Sequence, residues 1–175
     1  MIRRAEKRDL DWMLTLYAGA RAFMARSGNP TQWEEGYPDR GLLEADLAAG
    51  QLYVVERAGR PCGAFVLALG EDPTYGHIDG GGWLRPGPYG TIHRLAGDGR
   101  HPGIFRECLA FCRAHAPDLR ADTHADNRTM QRLLEQNGFV RCGTIYIWDG
   151  SPRIAYQLSR RPGEGPGAEE PPTER

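Results

Sequence analysis

Lysine is all but absent: Lys7 is the only one in 175 residues. A nucleotide-binding P-loop needs a Gly-Lys-Ser/Thr step to reach its phosphates, and no such step occurs. The remaining basic residues are arginines spread along the chain, and the net charge is −1. Nothing in that balance argues for a nucleic-acid or membrane surface. The four cysteines, Cys62, Cys108, Cys112 and Cys142, include no Cys-x-x-Cys pair, and no further ligands stand near them at zinc spacing. Cys108 and Cys112, four apart, are expected on one helix face as small apolar packers. The opening MIRRAEKRDLDWM has no long apolar run, so neither a signal peptide nor a membrane span is expected there. The expectation is a reduced, cytoplasmic, soluble protein.

What is present reads as alternating α and β segments. A short strand is expected over Ile2–Ala5. An amphipathic helix follows from Asp9 to Arg26, with Trp12, Leu16, Tyr17, Ala20 and Phe23 at helical spacing. Ser27–Pro38 is rich in turn formers yet holds Trp33 and Tyr37. Asp39 suits the N-cap of a second helix, Gly41–Ala49, which Gly50 ends. Gln51–Leu69 reads as two strands about the turn Ala58-Gly59-Arg60-Pro61. A Gly/Pro-rich stretch comes next, with a short strand expected near Tyr75–Ile78. Then follow a strand Thr91–Ala96, a helix Gly103–His115, a strand Leu119–Thr123, a helix Arg128–Gln136 and a final hairpin. The hairpin strands are Phe139–Trp148 and Pro152–Leu158, joined at Asp149-Gly150. Residues 1–159 are expected to form one domain, and 160–175 a disordered Gly/Pro-rich tail. No internal repeat is visible.

The strongest local signal is TIHRLAGDGRHPGIFRECLAFC. A helix starting just after a glycine-rich loop presents unpaired amides and the positive end of its dipole, an arrangement that suits phosphate. Gly97, Gly99 and Gly103 let the backbone come close, and Arg100 can add a full charge. A second signal is Asn127, which stands where a polar loop becomes a helix ending in Asn137-Gly138-Phe139. The plain reading of Asn127 is helix capping.

Arg100-His101-Pro102-Gly103-Ile104-Phe105, with Asn127 and Asn137-Gly138-Phe139, resembles the GNAT superfamily of acyl-CoA-dependent N-acetyltransferases. The likeness runs from about Ile2 to Leu158. It implies a mixed, mostly antiparallel α/β sheet that splays between its fourth and fifth strands. It also implies acetyl-CoA as co-substrate, with the pantetheine arm along His93 and Leu95 and near Asn127. The pyrophosphate would sit on the amides after Arg100, through Gly103 and Phe105. Homodimers through sheet edges or the last hairpin are expected by the same analogy. Three positions depart from the family pattern. Phe105 stands where the family has Gly or Ala, so either its ring turns into the core, or the phosphate shifts, or CoA binding is weakened. Pro102 removes one backbone donor. Leu134 occupies the position of the family's acid tyrosine, leaving Tyr146 as a candidate substitute.

Direct transfer to a primary amine, of a small molecule or a peptide, needs a base to take a proton from the ammonium form. His93 is one candidate; strand alternation puts it on one face with Tyr89, Thr91 and Leu95. Asp122 and His124, sharing a face of the next strand, are the others, although Asp122 could equally pair with Arg120 or Arg94. Trp33 and Tyr37, with Tyr75, Asp79 and Trp83, are expected to line the acceptor pocket, with an aromatic wall and one acid, or equally to close the core over a loose loop. Glu71 and Asp72 read as surface charges unless the fold brings them over the thioester. The alternative to an enzyme is a non-catalytic acyl-CoA-binding or regulatory domain, which Phe105, Pro102 and Leu134 favour.

Overall fold

The computed structural model describes residues 1–159; the tail expected from Arg160 lies outside the described residues. Seven strands form one sheet: β1 (Ile2–Arg4), β2 (Leu52–Arg57), β3 (Arg60–Leu69), β4 (Gly90–Gly97), β5 (Asp118–Thr123), β6 (Val140–Tyr146) and β7 (Pro152–Ser159). Their spatial order is β1-β2-β3-β4-β5-β7-β6. Every pairing is antiparallel except β4–β5. Helices α1 (Leu10–Arg26), α2 (Arg40–Ala48), α3 (Ile104–His115) and α4 (Arg128–Gln136) flank the sheet. The segment expected as a strand near Tyr75–Ile78 is instead a 3-10 turn, Pro73–Tyr75. Asp72 caps it and Pro73 supplies a preset first turn, a pattern that favours a turn over an extended chain.

Two apolar layers hold the sheet between the helices. Leu10, Met13, Leu16 and Tyr17 of α1 recur at helical spacing and pack with Leu43 on Val54, Ala64 and Val66. On the other face, Ile104, Phe105, Cys108, Leu109 and Cys112 form the buried stripe of α3. Cys108 and Cys112 are therefore packers, and burial pushes the Cys112 thiol up to about 12. A third cluster, Tyr75, Tyr89, Ile145 and Ala155, closes the Gly/Pro-rich stretch onto the distal strands.

The sheet opens between β4 and β5. Those strands pair only at Gly90↔Leu119 and Thr91↔Arg120, after which β4 has no partner on that side. The cause lies within β4. Val66 pairs with His93 and Ala64 with Ala96, so Phe65 alone faces both Arg94 and Leu95: a β-bulge. Arg94 takes a left-handed φ of 50°, which costs a non-glycine residue about 1–2 kcal/mol. Hydrogen bonds to α1 and α2, both on the same face of the sheet, offset that cost. The Arg94 guanidinium donates to both oxygens of buried Asp46 at 2.7 and 2.6 Å. Its carbonyl accepts from the Tyr17 hydroxyl at 2.9 Å.

The bulge also corrects one expectation. Alternation would place His93 and Leu95 on one face, but the extra residue turns Leu95 toward the α3 cluster. Ile92 and Ala96, an even step apart, likewise fall in opposite layers.

Removing one partner of a buried charge pair strands the other, at a cost of about 3–5 kcal/mol. Asp46→Ala is therefore expected to lose stability of that order in urea unfolding. The double variant Asp46→Leu with Arg94→Met should recover part of it, which the two single variants together would not predict.

Candidate active site

The opening between β4 and β5 continues into a cleft of about 2110 Å³. Pockets for one drug-sized ligand span about 300–1,000 Å³, so the cleft has room for two. One end is the phosphate loop, residues 98–103, with the start of α3; the other lies under the loop of residues 27–38.

At the loop end, a glycine pair seats the helix. Gly63 and Gly97 face each other across β3 and β4, and Ile104 packs on both. A β-carbon on Gly63 would lie 2.8 Å from Ile104 Cγ2 and 3.1 Å from the Ala96 carbonyl, so no side chain fits there. Held this close, α3 starts beside the open edge of β4, with Gly103 as its N-cap and no side chain capping its first amides. The Phe105 ring is buried in the α3 core, which leaves its backbone, not its ring, toward the cleft. The ring thus takes the first of the sequence alternatives, turning into the core, and its place in the buried 104/105/108/109/112 stripe is the signal that pointed there. Two loop amides are already used: Arg100 N–H and His101 N–H donate to Asp98 Oδ1 at 3.0 and 3.1 Å. Asp98 is partly desolvated, but these amides and the His101 ring hold its carboxyl below the usual range. Arg57 donates to the Pro102 carbonyl at 2.9 Å and pairs with Glu107, fixing the loop against the helix. Arg100 lines the cleft.

At the vertex, Thr91 is buried with its hydroxyl unpartnered. The turn at Glu71–Tyr75 then reaches both sides of the gap. Asp72 Oδ1 caps the turn, accepting from Thr74 N–H at 2.9 Å, and its Oδ2 meets His93 Nε2 on β4 at 2.9 Å. Three residues on, the buried Tyr75 phenol donates to Asp122 Oδ1 on β5 at 2.7 Å. Burial, then Asp122, push the Tyr75 hydroxyl well above its usual range, so it stays protonated. Burial would raise Asp72 as well, but the His93 and Thr74 hydrogen bonds outweigh it and leave Asp72 at about 2. Asp72 is thus an ionised partner of His93, not a surface charge. With Nε2 on the carboxylate, His93 Nδ1 has no other hydrogen bond among the described residues.

The candidates separate clearly. His93, Asp122, Leu95 and Asn127 line the cleft with Trp33 and Tyr37. His124 does not; it stands past the end of β5, where its Nδ1 accepts from Asp126 N–H at 3.1 Å. Asp122 pairs with Tyr75 and with neither Arg120 nor Arg94, since Arg120 is sandwiched between Trp83 and Tyr89 and Arg94 is held by Asp46. Asp79 and Trp83 are not in the cleft either: Asp79 bridges to Thr144, and Trp83 packs on Tyr75. Leu134 is core, and Tyr146 is exposed with its hydroxyl on Asp79, so neither supplies an acid. Asn127 does cap α4, its Oδ1 accepting from Met130 N–H at 3.0 Å. Its amide also donates to Gln32 Oε1 at 2.8 Å, tying the 27–38 loop over the cleft. Asp72 was readable only as a charge that the fold would have to bring over the site; Tyr75, expected in the acceptor pocket, is buried against Asp122 instead; Gln32 carried no signal. The Asp-Pro-Thr-Tyr turn was a local signal for the first two, but only the fold shows where it points.

Among solved structures, a GNAT-family acetyltransferase from Streptococcus agalactiae is 31% identical, covering 93% of this chain and 96% of that chain at a TM-score of 0.81. An N-acetyltransferase from Staphylococcus aureus is 23% identical, covering 91% and 97% at a TM-score of 0.57. A protein from Salmonella typhimurium, solved with its cofactor acetyl-CoA, is 20% identical over 96% and 98% with a TM-score of 0.58. The last two show the fold alone. No family model and no curated protein matches the sequence.

Asn127→Ala is expected to cost about 1 kcal/mol as a lost cap, measured by urea unfolding. The Asp72–His93 pair predicts a pH signature. A carboxylate lowered to about 2 stabilises the fold above its ordinary pKa near 4 and stops doing so as pH falls through 2. The stability gap between the parent and Asp72→Asn should be flat above pH 4 and narrow below it. Its size should be about 1 kcal/mol, because the carboxylate is partly solvated.

Proposed function

The chain belongs to the GNAT superfamily of acetyltransferases, and from that premise we propose that it acetylates a primary amine of a small molecule or peptide, with His93 as the base. The observation that carries this reading is the Asp72–His93 pair at the mouth of the sheet opening. Acetyl-CoA, when bound, supplies the thioester carbonyl that the amine attacks and the thiolate that leaves.

The residues present suit that co-substrate. The edge of β4 beyond Thr91 is open for an extended arm, and the Thr91 hydroxyl beside it lacks a partner. The first amides of α3 suit a diphosphate, with Arg100 adding charge. Phe105 does not obstruct them.

Asp72 accepts the Nε2 proton of His93, fixing the tautomer whose Nδ1 lone pair is free. Nδ1 takes a proton from the incoming ammonium group, directly or through water, and Asp72 offsets the imidazolium charge that results. Asp122, Glu71 and Glu34 also line the cleft and favour a cation there. Asp122 keeps one oxygen for the Tyr75 phenol, which makes it the weaker base candidate. With Leu134 in the core, the leaving thiolate departs without a side-chain acid.

His93→Gln should lower kcat/KM for thiol release by about 10²–10⁴-fold, while acetyl-CoA still raises the melting temperature. A melting temperature that acetyl-CoA raises, with no thiol release from any amine, would instead favour the non-catalytic binding domain.

A further inference from the structure

We infer that the amine acceptor carries a carboxylate, and that Arg153 receives it; this rests on the acetyl-transfer reading above. Two arginines among the described residues are buried, Arg120 at 6% and Arg153 at 5% exposure. Arg120 has an aromatic ring on each side, at 4.0 and 3.9 Å from its guanidinium carbon. Arg153 lines the cleft and has no carboxylate within ion-pair distance among the described residues. Its two hydrogen bonds go to carbonyls, Pro152 at 2.9 Å and Gln32 at 3.2 Å. Asp149, the acid nearest in sequence, is exposed and accepts from Ser151 N–H; hydrogen bonds from Ser151 lower its carboxyl, and the Arg153 guanidinium helps, but from beyond ion-pair distance.

A buried cation without an anion is costly, and two carbonyls offset only part of that cost. Elsewhere the fold provides the anion: Arg94 has Asp46, Arg85 has Asp118, Arg3 has Asp9 and Glu56. A carboxylate on the acceptor would complete the same arrangement at Arg153, with a geometry suited to two parallel hydrogen bonds.

Register places Arg153 beside the reacting end. Asp122 pairs with Ala155, so Arg153, two residues earlier on β7, shares its face one diagonal step away. Such diagonal neighbours lie about 7–8 Å apart. Asp122 therefore stands at one end of a short span, and at the other a buried guanidinium with no described carboxylate within ion-pair distance. That polarity fits an amino acid, its ammonium toward Asp122 and His93 and its carboxylate toward Arg153. Trp33, whose ring is 5.7 Å from that of Tyr37, offers the wall for an apolar side chain.

The test compares the protein amino acids with their carboxamides, which keep the amine and remove the negative charge. Thiol release from acetyl-CoA should favour the acids. Arg153→Gln should raise KM for the preferred acid by about 30-fold or more, leave its carboxamide unchanged and preserve the acetyl-CoA heat shift. Arg153→Lys should recover part of the loss. Equal kcat/KM for acids and carboxamides, or equal loss on both in Arg153→Gln, overturns the proposal and leaves acetyl transfer standing. If no acceptor releases thiol, acetyl transfer fails, and heat shifts of the CoA-saturated protein over the same panel decide Arg153. Acid-selective stabilisation lost in Arg153→Gln then supports the anion site, and no selectivity overturns it.

Discussion

The bulge at Arg94 is the constraint on which the molecule turns. A left-handed arginine in mid-strand is unfavourable by itself. It persists because a helix on one side supplies a carboxylate and a helix on the same side supplies a hydroxyl: Asp46 from α2 and Tyr17 from α1. The extra residue bends β4 away from β5 just past their last paired residues. The cleft, the open strand edge and the reversal of Leu95 all follow from that bend. A buried ion pair is a weak source of net stability, but here it fixes where the backbone departs from the sheet.

Opening a sheet leaves two edges to be spanned, and two loops span them. Asp72 and Tyr75, three residues apart, tie His93 on β4 and Asp122 on β5 to one short turn. Gln32 ties the other side, accepting from Asn127 at the start of α4 and from Asn29 within its own loop, while its carbonyl receives Arg153. Each contact restricts how far the two halves of the sheet can separate. The same contacts set the charge pattern, with acids at the β4–β5 gap and a guanidinium beneath the 27–38 loop.

Much of the fold was legible because it is periodic. The α1 and α3 helices, the β2–β3 hairpin and the Asp39 cap stand close to where spacing puts them, although the α1 stripe runs through Leu10, Met13, Leu16 and Tyr17 and leaves Phe23 exposed. The splay came from family resemblance, and the residues alone do not announce it. The bulge has no signature in Ile-His-Arg-Leu-Ala, because its cause, Asp46, lies 48 residues away. For the same reason Asp72 read as a surface charge and Asp79 as a pocket acid. Which turn folds over the gap is decided by Tyr75, Trp83 and Tyr89 packing together, an event that no local pattern encodes. His124 failed as a candidate for a simpler reason: alternation was extended one residue past the end of β5.

Asp98 shows how the phosphate loop departs from what glycine content suggests. Its carboxylate gathers the Arg100 and His101 amides, two donors that would otherwise be free for a diphosphate, and Pro102 contributes none. A rigid loop results, braced from the other side by Arg57 on the Pro102 carbonyl. The donors left for a ligand are then the first amides of α3, whose position depends on Ile104 resting on Gly63 and Gly97. The unpaired amides thus belong to the helix start and not to the loop. The side chain at position 105 can be large, provided that it stays on the buried stripe and leaves its own N–H at the helix end uncovered.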